Sequence, residues 1–120
     1  MVFDRRDLPR IAYDDVEFDD DLARVGGEPF TGIVFSLHPN GRLETERSYK
    51  DGLPSGLQQG WYPEGRLEFR SMAERGRGSA ISETWHPNGN PRSLRRFVDQ
   101  TQVEHKEWDA EGRLVVELEG

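Results

Sequence analysis

A chain that repeats itself at a fixed short period folds as copies of one small unit, each burying what its neighbour cannot bury alone. Four segments align here: Leu37-His38-Pro39-Asn40-Gly41-Arg42-Leu43, Trp61-Tyr62-Pro63-Glu64-Gly65-Arg66-Leu67, Trp85-His86-Pro87-Asn88-Gly89-Asn90-Pro91 and Trp108-Asp109-Ala110-Glu111-Gly112-Arg113-Leu114. Their glycines, at 41, 65, 89 and 112, are spaced by 24, 24 and 23 residues. A second register runs through the same units. Gly52 and Gly76 each follow the first glycine by 11 residues, with Gln100 in the third such place. Gly32 and Gly56 precede it by nine, with Ala80 in the matching position.

Each unit reads as a β-hairpin. Proline, then Asn or Glu, then Gly fits a type I turn followed by a left-handed residue, the three-residue hairpin loop with a bulge. A two-residue Asn-Gly turn would require positive φ at Glu64 or Glu111 in the second and fourth units, which disfavours it. Lys50-Asp51-Gly52 and Glu74-Arg75-Gly76 then serve as return turns. Between turns the residues alternate with period two. Ile33, Phe35, Leu37, Leu43 and Tyr49 fall on one side, joined by Leu57, Trp61, Leu67 and Phe69, by Ile81, Trp85 and Phe97, and by Trp108, Leu114, Val116 and Leu118. Arg42, Glu44, Glu46, Gln58, Arg66, Glu68, Arg70, Arg92, Arg96, Arg113 and Glu117 fall on the other. The expected fold is all-β: a single-layer, meandering antiparallel sheet of tandem hairpins, curled on itself, with about nine to eleven strands. One domain spans 1–120, with an acidic segment at 1–26 able to form a starting hairpin and repeats at about 27–55, 56–79, 80–103 and 104–120.

Apolar residues make up only 33% of the chain, charged residues 32%, and mean hydropathy is -0.85, so the core must be thin. The net charge of -7, of which -4 belongs to residues 1–26, argues against binding to nucleic acid. The absence of cysteine excludes disulfides, thiolate metal sites and cysteine nucleophiles. No apolar run approaches the ~20 residues of a membrane span, and Asp4, Arg5, Arg6 and Asp7 do not make a signal peptide, so a soluble cytoplasmic protein without membrane insertion is expected.

Residues able to carry chemistry are few. His38 and His86 hold the same slot two repeats apart, which puts them roughly 19 Å apart along a flat sheet, too far to share one metal ion. No metal site and no cofactor are expected. The acidic run from Asp14 to Asp21 lacks the spacing and the glycine of a calcium loop, and reads as a solvated acidic edge. No nucleophile elbow or phosphate loop is present. Were the chain an enzyme, His38, His86 and Glu83 would be its acid–base candidates. For binding, the residues singled out are the ladder of Trp61, Trp85 and Trp108, one per unit, and the carboxylates of Asp19, Asp20 and Asp21. Aromatic residues on a one-layer sheet mark partner contacts where they stay open.

The units Thr31-Gly32, His38-Pro39-Asn40-Gly41-Arg42-Leu43, Tyr49-Lys50-Asp51-Gly52 and Trp61-Tyr62-Pro63-Glu64-Gly65-Arg66-Leu67 resemble the MORN-variant repeat of bacterial YwqK-type proteins. The resemblance covers about residues 13–120. It implies a β-hairpin repeat fold and an antitoxin- or immunity-like role, and brings no catalytic residues. The chain departs from that pattern at Gln100-Thr101, where an Asp-Gly turn is expected, at Asn90-Pro91 in place of Arg-Leu, and in a last unit one residue short. The functional expectation is therefore an interaction module that binds another protein, such as a basic toxin, through the face or edge of the sheet. Sheet edges also offer a route to pairing between copies of the chain. The alternative is a small enzyme or ligand-binding protein with its pocket in the concave aromatic face.

Overall fold

The computed structural model describes residues 8–20, 22–73 and 79–119. All four turns of the motif close in the same way. The amide of His38 donates to the Arg42 carbonyl at 2.8 Å, and that of Gly41 to the His38 carbonyl at 2.9 Å. Tyr62 and Gly65, His86 and Gly89, and Asp109 and Gly112 repeat the pair of bonds at 2.8–3.0 Å. The glycines at 41, 65, 89 and 112 take φ of 85°, 103°, 93° and 90°, while Asn40, Glu64, Asn88 and Glu111 stay at negative φ. This is the type I turn with a left-handed glycine. The return turns differ. Asp51 and Gly52 both have positive φ, 50° and 85°, making a two-residue type I′ turn between paired Lys50 and Leu53. Asp99 and Gln100 do the same at 50° and 67° between Val98 and Thr101. The expected turn at Glu74-Arg75-Gly76 lies outside the described residues.

The described residues form twelve strands: β1 (Arg10–Ala12), β2 (Glu17–Asp19), β3 (Leu22–Val25), β4 (Glu28–Pro29), β5 (Gly32–Leu37), β6 (Leu43–Lys50), β7 (Leu53–Trp61), β8 (Leu67–Ala73), β9 (Ser79–Trp85), β10 (Pro91–Val98), β11 (Thr101–Trp108) and β12 (Leu114–Glu119). Strands β5 to β12 form an antiparallel meander in chain order, and β1 adds to β5, giving an open nine-stranded sheet.

The first residues depart from the sequence expectation. The hairpin expected in the acidic segment does form, between β2 and β3, but among the described residues it does not extend the main sheet. Instead β1 lies parallel to β5, with Arg10 beside Ile33, and the chain turns away through a single 3-10 turn at Tyr13–Asp15. Strands β2, β3 and β4 make a separate three-stranded sheet. It is anchored on the β6–β7 turn: Ala23 donates to the Gly52 carbonyl at 2.8 Å, and Gly52 to the Phe30 carbonyl at 2.9 Å. A side chain at Gly52 would collide with Leu22, so this contact requires glycine. The buried apolar residues gather at the same end of the molecule: Ile33, Val34 and Ala23, with Ala73 further along.

The two faces also divide the side chains differently from the simple alternation. Leu37 pairs with Leu43 but Ser36 with Thr45, so Glu44 is an extra residue in β6. Glu68, Arg92 and Val115 are extra in the same place of β8, β10 and β12. Each bulge shifts the alternation by one and sends the following side chains to the opposite face. Directly paired residues share a face, so the registers put Ile33, Phe35, Leu57, Ile81 and the three tryptophans on one side. Tyr49, Phe69, Phe97, Val116 and Leu118, all beyond a bulge, lie on the other. Charged Glu46, Arg70, Arg96 and Glu117 change sides in the opposite sense. Both faces are therefore mixed.

Candidate functional site

The turns that carry the repeated motif lie along one end of the strands, and side chains tie each turn to the next. His38 Nε2 lies 2.7 Å from the Trp61 carbonyl, and His86 Nε2 lies 2.8 Å from that of Trp108. Between them, the Tyr62 hydroxyl donates to the Trp85 carbonyl at 2.7 Å. A carbonyl only accepts, so each imidazole must present Nε2–H. Asn40 and Asn88 add bonds to the carbonyls of Pro63 and Ala110 at 2.9 and 2.7 Å, and Arg42 reaches the Glu64 carbonyl at 2.6 Å. In the final turn Asp109 takes the slot of His38, Tyr62 and His86. It accepts the amides of Glu111 and Arg113 at 3.0 and 2.9 Å. The Arg113 amide, chiefly, holds its carboxyl below the usual value, opposed by desolvation and helped by the Arg113 charge and the Glu111 amide. The slot is thus filled by a long donor wherever a next turn exists to receive it, and by a self-capping acid where the described chain has none.

This ladder gives His38 and His86 a structural task and keeps them in separate turns. No group of three or more His, Asp or Glu side chains comes together as a metal site among the described residues. Glu83, the third acid–base candidate, stands opposite Arg70 and Leu94 in the registers of β8 and β10, and no hydrogen bond or ion pair joins it to either histidine among the described residues. The tryptophans are half-buried. Trp85, with Arg66, Leu67 and Gly89, lines an open cleft of about 340 Å³ between successive turns. His105, on β11, is mostly buried beside Arg95 and Leu118; its Nε2 has no hydrogen-bond partner and lies 3.6 Å from a Glu107 carboxylate oxygen.

Large apolar side chains are exposed elsewhere: Met72, Val98, and Leu114, Val115 and Leu118 on β12. At the other end, Tyr13 and Phe18 are 56% and 41% exposed, and their rings sit 5.5 Å apart at 35°. Phe18 in turn meets Tyr49 at 6.3 Å, and burial raises the Tyr49 pKa, partly opposed by Arg47. Asp19 and Asp20 are exposed beside these rings in sequence; Asp19 pairs with Arg24 at 3.7 Å, and Asp20 takes a φ of 55°. Asp21 lies outside the described residues. Sequence reasoning missed the ring cluster, because Tyr13, Phe18 and Tyr49 belong to three different elements and no repeat position links them.

No protein-family model, curated protein or solved structure matches the chain. No described helix is long and apolar enough to cross a membrane.

Proposed function

We propose that the chain is a cytoplasmic protein-interaction module of the MORN-variant, YwqK-like kind, an immunity- or antitoxin-like protein that holds its partner on the face or edge of the sheet. In this reading the tandem hairpins of about 24 residues form a gently curled platform whose length follows from the number of units. One observation carries it: β8 to β12 pack against their sheet neighbours and bear no second layer among the described residues, leaving large apolar side chains from Met72 to Leu118 in solvent. Exposed apolar surface on this scale suits contact with another protein. The net charge of -7 favours a basic partner. The enzyme reading has less support. Its two histidines each commit a ring nitrogen to a backbone carbonyl, and Glu83 faces an arginine.

The test pairs a pulldown from the source lysate with a thermal-shift screen of metabolites on the purified chain. A saturable protein partner with no metabolite shift is the expected result. A metabolite that stabilises the chain, with no protein partner, overturns the reading.

A further inference from the structure

The sequence points to the tryptophans as anchors, yet the most exposed aromatic rings among the described residues are those of Tyr13 and Phe18. Tyr13 follows β1 in the 3-10 turn, Phe18 is the centre of β2, and Tyr49 is on β6; their rings form a chain of contacts at 5.5 and 6.3 Å. Phe18 is 41% exposed although Ala23, paired with it, is fully buried. The ring surface therefore begins at the packed core and opens outward. Exposed acids adjoin it along the chain: Asp14 and Asp15 in the 3-10 turn beside Tyr13, Asp20 in the turn after β2, and Glu17 and Asp19, which flank Phe18 in sequence and point to the opposite face of β2. The exposed Arg47 guanidinium lies near enough to Tyr49 to act on its hydroxyl. Among these carboxylates and the described residues, one ion pair forms, between Asp19 and Arg24 at 3.7 Å. Aromatic faces attract cations, and carboxylates at the rim strengthen that preference.

We propose that the surface of Tyr13, Phe18 and Tyr49 docks an arginine- or lysine-bearing segment of the partner protein. This rests on the reading of the chain as a protein-binding module and names where, and by what chemistry, that module grips. The rings supply the anchor, covering the stem of the basic side chain, and the rim supplies orientation and rate of encounter. A negatively charged partner or an anionic membrane is repelled by the same rim. The β12 edge is a poorer site: the extra residue at Val115 breaks its regular pairing edge, and Glu117 adds charge to it.

The experiment titrates the full chain, followed by amide NMR shifts, with the peptide acetyl-(Arg-Ala)4-amide and with its glutamate counterpart. Saturable shifts at residues 13–20 and 49 for the arginine peptide, and none for the glutamate peptide, are expected. Phe18→Ala should weaken binding at least fivefold at unchanged charge. If that variant does not fold, Tyr13→Ala, at a mostly exposed position, takes its place. Neutralising Asp14, Asp15 and Glu17 to Asn, Asn and Gln should weaken binding about tenfold, against less than twofold for Glu64, Glu111 and Glu117 to Gln. Equal losses in the two triple variants, shifts centred elsewhere, or no saturable binding would overturn the proposal. So would a doubled mass in ultracentrifugation that Phe18→Ala abolishes, which assigns the rings to a second copy. A natural partner still held by the Phe18→Ala chain sinks this surface and leaves the module reading standing. Absence of any protein partner for the parent chain sinks the module reading itself.

Discussion

Gly60 shows how a single position governs packing in so open a sheet. It lies between β6 and β8, and the Phe69 ring crosses the space its side chain would fill, reaching the Arg47 guanidinium 5.2 Å from the ring centroid. A ring laid over a strand glycine recovers apolar contact that the sheet otherwise lacks. Gly60→Ala forces the ring away and should cost about 1–3 kcal/mol, measured by urea denaturation. In the background of Phe69→Ala the same change should cost much less, because the two residues share one contact. Gln100 carries the opposite lesson. It adopts a φ of 67° in a type I′ turn where the repeat template elsewhere supplies glycine. Gln100→Gly should stabilise by up to about 1 kcal/mol, or roughly 4 °C in Tm, and an unchanged or lowered Tm would show that the turn carries no strain.

At the scale of the element, the hairpins are coupled by the bonds from each turn to the next tryptophan carbonyl. His38→Phe keeps a ring but removes the donor, leaving the Trp61 carbonyl without it at a cost of about 1–3 kcal/mol. His38→Tyr should recover part of the loss, since Tyr62 makes the same bond one unit on. Calorimetry of the two variants separates them. The final turn adds a pH dependence. The Asp109 carboxyl is held below its ordinary value of 3.8 in the fold, so its contribution is present above that pH and is lost as pH falls through the lowered value. The Tm difference between the parent and Asp109→Asn should therefore be constant near neutrality and shrink below about pH 4. Much of this element level was legible in the sequence. Pro-Asn-Gly and Pro-Glu-Gly named the turn type and its left-handed glycine, and the period placed the turns at 40, 64, 88 and 111. The bulges at Glu44, Glu68, Arg92 and Val115 were not legible, because an extra residue leaves no mark of its own in a charged, alternating run. Simple alternation therefore assigns Tyr49, Phe69, Phe97, Val116 and Leu118 to the face opposite the one they occupy. The separate small sheet was equally hidden, since its anchor on Gly52 is a contact between distant parts of the chain.

For the whole molecule, the extents of 47 × 38 × 28 Å and the radius of gyration of 15.8 Å describe a slab. A compact chain of this length would have a radius of roughly 14 Å. The difference arises because neighbouring strands, and not opposed layers, make most of the contacts, and because the buried apolar residues cluster near the β5–β7 end. Stability should grade accordingly. Amide exchange is expected to be slowest in β5 and β6 and fastest in β11 and β12, where few apolar contacts protect the backbone. Uniform exchange across the sheet would indicate a second layer or a self-associated state. A platform open to a partner must remain a single open layer in solution when alone. Small-angle X-ray scattering at low concentration measures that most directly. The account predicts a monomer with a radius of gyration near 16 Å; a radius near 14 Å at monomer mass, or a doubled mass, would contradict it.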